Sequence, residues 1–176
     1  MKTGNSLPRS PSAAIRAVTD ADRERVERII EERWGAPLVA VHDSIYRPAE
    51  LQGFLAAAGE NIHGLVTFRI EATECEIVSL DAMLPRVGIG TALVEAVAGA
   101  ALAAGCRRLW LVTTNDNLDA LRFYLRRGFR LVAVHPGAVD RARRLKPSIP
   151  EKGDFGIPIH DELELERALP SLKENT

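Results

Sequence analysis

The sequence predicts one α/β domain on a mixed sheet, and three observations lead there. Between Leu51 and Met83 three apolar runs follow one another with two-residue turn candidates, Gly59-Glu60 and Glu71-Ala72, between them. That is a hairpin pattern. From Gly90 onward, helical and strand-like periods alternate, as crossovers require. A chain of 176 residues that is 46% hydrophobic also has enough apolar surface for one ample core.

The elements follow in order. Residues 14–18, AIRAV, read as a first strand. In TDADRERVERIIEERWG, Thr19 or Asp20 caps a helix whose buried face is Val26, Ile29, Ile30 and Trp34, with Gly35 as its stop. Residues 36–50 are irregular, with PLVAV a short strand candidate. LQGFLAAA, NIHGLVTFRI and TECEIVSLDAM are the three hairpin strands. A helix over 90–104 buries Leu93, Val94, Val97, Ala101 and Leu102 and ends at Gly105. RRLWLVTT is a buried strand, and Asn117 caps a helix that Gly128 stops. FRLVAVHPG reads as a strand and AVDRARRLKP as a short basic helix. SIPEKGDFGIPIHD is a loop, and ELELERAL, by its alternation, a final strand. Residues 1–13, rich in polar residues, Pro and Ser without an apolar core, read as a disordered tail and not a signal peptide. The domain then spans 14–176.

The formal charge of -1 gives no global attraction to nucleic acid or anionic membrane. The charge is uneven, however: Ala101–Pro147 holds ten Arg/Lys against three acids, and Ser148–Thr176 three against seven. A basic stretch is either a solvated face or a surface that meets an anion. Cys75 and Cys106 have no metal-ligand spacing and read as small core residues of a reduced compartment, so the expected location is cytoplasmic and no metal is expected. No apolar run is long enough to span a bilayer.

RVGIGTALV, residues 86–94, opens the Ala-rich helix with two glycines, an arrangement suited to wrapping backbone amides around a phosphate. A dinucleotide fingerprint would follow the first strand, carry a third glycine where Leu93 stands, and lead to a strand ending in an acid. A Walker loop would need Gly-Lys-Ser/Thr. Neither pattern is met. The alternative is a strand–Gly–helix junction serving packing alone.

Further along stands NLDALRFYLRRGF, in which Asn117, Ala120, Phe123, Tyr124, Gly128 and Phe129 fall into N-x-x-A-x-x-F-Y-x-x-x-G-F. Together with R/Q-x-x-G-x-G/A upstream, this resembles the GNAT N-acetyltransferase superfamily, over residues 14–137. One departure is that Pro85 holds the Arg/Gln position, with Arg86 beside it. The resemblance implies a mostly antiparallel sheet of about six to seven strands flanked by helices. It also implies acetyl-CoA as co-substrate, with its pyrophosphate held by Arg86, Val87, Gly88, Ile89, Gly90 and Thr91. Leu80, Asp81 and Ala82 would bond the pantetheine arm through their backbone, and the Leu80 amide would serve the oxyanion. Asn117 would hydrogen-bond the coenzyme as well as cap its helix, and Tyr124 would protonate the thiolate or be an ordinary half-buried aromatic. Glu76 lines up with the position of a general base, against the alternative of a surface carboxylate. Simple alternation puts it on one strand face with Val78 and Leu80, and Asp81 on the other. Trp34, Tyr46 and Phe54 are implied for the acceptor wall.

The resulting expectation is direct acetyl transfer in a ternary complex to a primary amine of a small molecule or peptide. The alternatives are a protein Nα- or Lys-acetyltransferase and a non-catalytic acyl-CoA-binding module. No nucleic-acid or membrane partner is expected, and the family allows a homodimer. His42, His63 and His135 read as structural. His160, with Asp161 and Glu162, sits in an acidic stretch that either faces a cationic acceptor or is plain surface.

Overall fold

The computed structural model describes residues 13–42, 44–84 and 87–170. The tail expected over residues 1–13 therefore lies almost wholly outside the described residues. Among those described, the order is β1 (Ala14–Ala17), α1 (Arg23–Trp34), β2 (Val39–Val41), β3 (Ser44–Tyr46), β4 (Gln52–Ala58), β5 (Asn61–Glu71) and β6 (Glu74–Ala82). There follow α2 (Ile89–Ala103), β7 (Arg108–Thr114), α3 (Leu118–Leu125), β8 (Arg130–His135), α4 (Ala138–Leu145) and β9 (Glu162–Ala168).

Seven strands form one sheet in the order β1-β4-β5-β6-β7-β9-β8, and β2-β3 form a separate hairpin. Every pair in the large sheet is antiparallel except β6 with β7, which α2 joins as a crossover. β9 therefore returns from the long loop to lie between β7 and β8. The α/β expectation holds, and the final alternating segment is a strand. The β2-β3 hairpin is an addition: its strands are three residues each, too short for alternation to register, and its turn carries His42 at φ 51 instead of a glycine.

Each face of the sheet has its own core. On one, α2 lays Leu93, Val94, Val97 and Ala101 against Val66, Phe68, Ile77 and Leu109. Each fully buried Leu or Val there is worth about 1.5–3 kcal/mol. The approach is close because Gly64 lacks a side chain: a Cβ there would sit 2.6 Å from the Ile89 side chain. On the other face Val26, Ile29 and Ile30 of α1 cover Leu55 and Leu65. Trp34, expected on that buried face, is instead 38% exposed at the helix end. Cys75 and Cys106 are both buried and free, as core residues should be.

One irregularity decides what the middle strand presents. Thr67 faces Ser79 while Phe68 faces Ile77, so Val78 is an extra residue, a β-bulge. Before it, Cys75 and Ile77 point to the α2 core. After it, Leu80 takes that face, while Asp81 turns to α1 and meets Arg33 and Trp34. The uninterrupted alternation read from the sequence is thus corrected. Glu76 shares its face with Asp81, and Leu80 lies on the opposite one.

Candidate active site

β6 and β7 pair at only three positions, Glu74 with Arg108, Cys75 with Leu109 and Glu76 with Trp110, and then part. Beyond that point β6 keeps its bonds to β5 alone. The Met83 amide donates to the His63 carbonyl at 2.9 Å, so alternation aims the amides of Leu80 and Ala82 into the opening. A cavity of about 450 Å³ occupies this region, walled by Val78 of β6, Val112 and Thr114 of β7, Trp34 and Val39 near α1, and Glu162 of β9. Asn117 borders it while its Oδ1 accepts from the Ala120 amide at 3.0 Å, capping α3.

A second cavity of about 890 Å³ lies where β6 ends at Ala82 and α2 begins. Gly88 caps α2 at φ 85, a left-handed backbone that disfavours any side chain, and a Cβ there would meet nothing within 4 Å. The first-turn amides of α2 have no carbonyl inside the helix to bond. Gly90 has a different reason for being glycine: a Cβ would stand 3.1 Å from the Phe123 ring of α3. Arg122, Arg126 and Arg127 line the same cavity, with Asp119 as its acid. Arg127 is fixed there, donating to Thr91 Oγ1 at 2.9 Å and to the Phe123 carbonyl at 2.6 Å while lying 3.5 Å from the Phe123 ring centroid. Val87 is exposed beside it, and Arg86 lies outside the described residues. The mouth is thus ringed by cations and oriented N–H groups, a place for a multiply charged anion.

The basic segment is only partly committed to that mouth. Arg108 bonds Glu74, Glu164 and Glu166, Arg130 bonds Glu166, and Arg143 bonds Asp140. Two of the ten basic residues of 101–147, Arg108 and Arg130, are therefore matched by acids of β9, and Arg143 by Asp140 of its own helix.

The chain matches the model of the Acetyltransferase (GNAT) family over residues 17–129. It belongs to the GNAT acetyltransferase family. An uncharacterized protein of Bacillus subtilis (strain 168), YdhI, is 48% identical over 134 residues, covering 75% of this chain and 83% of that one. An IAA acetyltransferase from Bacillus cereus ATCC 14579 shares the fold at TM-score 0.69 and 19% identity, over 90% of this chain and 100% of that one. A GNAT family acetyltransferase from Elizabethkingia anophelis with acetyl-CoA bound does so at TM-score 0.64 and 18% identity, over 91% and 100%.

Within this GNAT chain the ionisable groups have distinct settings. Tyr124 of α3 is buried, edge-on to Phe123 and Phe129 with centroids 5.0 and 5.2 Å away. Burial, reinforced by the charge of Asp81, pushes its phenol well above the usual range. Glu76 is buried, accepting from Arg69 Nε at 2.5 Å. Burial raises its pKa and the Arg69 bond opposes the rise. Glu76 does not border the larger apolar cleft. It faces Arg69 and Trp110, and its Oε1 has no hydrogen-bond partner. Lys146 is buried with its ammonium on the carbonyls of Trp34 and Leu38, at 2.8 and 3.0 Å, and burial lowers its pKa.

Of the residues implied for the acceptor wall, Trp34 lines the cleft. Tyr46 lies under Arg69, 5.2 Å from its guanidinium carbon, and Phe54 stacks on Phe68 away from the cleft. In the acidic stretch, His160 binds Asp140 and Asp161 caps the Gly137 amide, so only Glu162 reaches the cleft. Sequence reasoning missed His42. Among the described residues it touches Trp110 and His135 by ring contacts and approaches both Glu76 and Glu162. Its neighbours come from four strands, and no local pattern signals such a meeting.

Proposed function

We propose that this protein is an N-acetyltransferase that moves an acetyl group from acetyl-CoA to a primary amine, both bound at once. The observation that carries the reading is the continuity along β6. Val78 and Ala82 of one strand border, in turn, the apolar cleft and the cation-ringed mouth at Gly88. A pantetheine arm fits beside free strand amides, and a pyrophosphate fits an open glycine turn with three arginines around it. The Elizabethkingia anophelis structure of the same fold has acetyl-CoA bound, which supports acetyl-CoA as the substrate.

As substrate, acetyl-CoA supplies an acetyl group activated as a thioester. Val87, Gly88, Ile89, Gly90 and Thr91, with Arg86, hold the pyrophosphate through backbone and charge. Leu80 and Ala82 hold the arm through the backbone, Asp81 between them bonding β5 instead, and the Leu80 amide faces the developing oxyanion. Asn117 bonds the coenzyme from the rim of the cleft. Tyr124, kept protonated by burial, donates the proton that the departing thiolate needs. Glu76 takes the amine's proton, acting through an intermediary because its carboxylate lies off the cleft. Deprotonation matters: an alkylamine with a pKa near 10.4 costs about 5 kcal/mol to neutralise at pH 7. The acceptor is a small-molecule or peptide amine. Near-neutral overall charge suits neither nucleic acid nor a membrane surface as partner. Two reduced, buried cysteines suit work in the cytoplasm.

The test is release of free thiol from acetyl-CoA in the presence of a panel of primary amines. Amine-dependent thiol release with formation of the acetylated amine is expected. Tight acetyl-CoA binding with no transfer to any amine would overturn the catalytic reading.

A further inference from the structure

Two buried polar atoms without hydrogen-bond partners, Glu76 Oε1 and His42 Nε2, face each other at 3.9 Å. Such atoms are costly to bury unless something uses them. On its other side His42 presents Nδ1 to Glu162 Oε2 at 3.5 Å, and its backbone amide meets the same oxygen at 3.4 Å. Glu162 is buried yet borders the apolar cleft, whereas Glu76 does not. The imidazole is held by Trp110 at 5.1 Å and, edge-on, by His135 at 5.6 Å, on a residue whose φ of 51 is strained for a non-glycine. A strained, packed imidazole thus stands between one carboxylate that sees the cleft and another that does not.

We infer that Glu162 receives the ammonium of an apolar primary amine and that His42 passes its proton on to Glu76. This deepens the acyl-transfer reading and rests on it. The N–H bond of the ammonium breaks as a proton joins Glu162. Nδ1 of His42 takes that proton while Nε2 releases its own to Glu76 Oε1. The amine is left with its lone pair free, and the proton ends on Glu76, whose carboxylate is thereby neutralised beside Arg69. Movements of about 1 Å bring both gaps to hydrogen-bond length. The charged and titratable groups facing the imidazole are Glu162 and Glu164 of β9, His135 of β8, Arg69 of β5 and Glu76 of β6. Burial lowers the imidazole pKa, which keeps it neutral and able to shuttle, and Glu162 and Glu164 oppose that shift. The cleft walls Trp34, Val39, Val78 and Ile159 fit an apolar body on the amine. His42 acts through Glu162 and is a positioning residue; Glu162 touches the substrate.

Two nearly isosteric probes test this: 2-phenylethylamine, cationic at pH 7, and O-benzylhydroxylamine, already neutral. His42→Gln and Glu162→Gln should each lower kcat/KM for the cationic probe by about 10²-fold and for the neutral one by only a few-fold. The loss should shrink at alkaline pH, and the double variant should lose no more than either single one. Equal losses on both probes would overturn the proposal. An arm free of turnover is NMR titration of His42, whose pKa should fall in Glu162→Gln; an unmoved value would also overturn it. The reading beneath it fails differently, as absent thiol release by the unmodified protein with every amine.

Discussion

The role proposed for Tyr124 rests on where it is buried. A phenol whose pKa is driven up stays fully protonated near neutrality, so a proton is in place to hydrogen-bond the departing thiolate, while the same rise makes the phenol the weaker acid of the pair. Tyr124→Phe should lower kcat by about 10²–10⁴-fold while acetyl-CoA affinity by calorimetry stays within a few-fold. A fall in affinity that matches the fall in kcat would instead mark the ring as packing only. Tyr124, Asn117 and the two glycines were legible in the sequence because each sits in a short motif at fixed spacing. Their reasons were only partly legible: Gly88 answers to its backbone angle, Gly90 to the Phe123 ring. The surroundings of His42 were illegible, since its neighbours lie on strands far apart in the chain.

Among the elements, the long periodic ones announced themselves. α2 and the three hairpin strands lie within two residues of their expected limits, because burial of one face imposes a period. β3 and the bulge at Val78 escaped for the same reason in reverse, although PLVAV marks β2: three residues hold no period, and one inserted residue breaks it unseen. The entry to α1 offers a test at this scale. Asp22 accepts two bonds from Arg16, both at 2.7 Å, and two from Thr19, amide and hydroxyl, at 2.9 and 2.7 Å. The Arg16 bonds, the largest of several causes, hold its carboxyl well below the usual range. A carboxyl depressed in the folded state stabilises above its unfolded pKa of about 3.9, and that contribution is lost as pH falls through the folded value. Because Arg16 is partly in solvent, Asp22→Asn should cost about 2 kcal/mol at pH 7 in urea unfolding. The gap between variant and parent should narrow toward pH 3. A gap that widens there would contradict the assignment.

For the molecule as a whole, the uneven charge resolves into two uses. Arg108 of β7, Arg130 of β8 and Arg143 of α4 bond acids of the chain itself, and Arg122, Arg126 and Arg127 gather at the mouth beside Gly88. Acetyl-CoA at about 100 times its Kd should therefore stabilise the fold by about 2.7 kcal/mol. This should raise Tm by roughly 5–10 °C in a thermal melt. The gain should shrink as salt is added, since charge at the mouth is open to screening. NAD should give no such gain. An equal response to both would break the link between this fold and a thioester substrate.

The fastening between β6 and β7 has a consequence for what counts as the finished sheet. Three rungs, at the start of both strands, join β1-β4-β5-β6 to β7-β9-β8, and past Trp110 the ladder simply lacks its next steps. A coenzyme arm lying against Leu80 and Ala82 would supply them. The folded chain would then be a frame with one member missing, completed by a molecule the gene does not encode and dismantled again at every turnover.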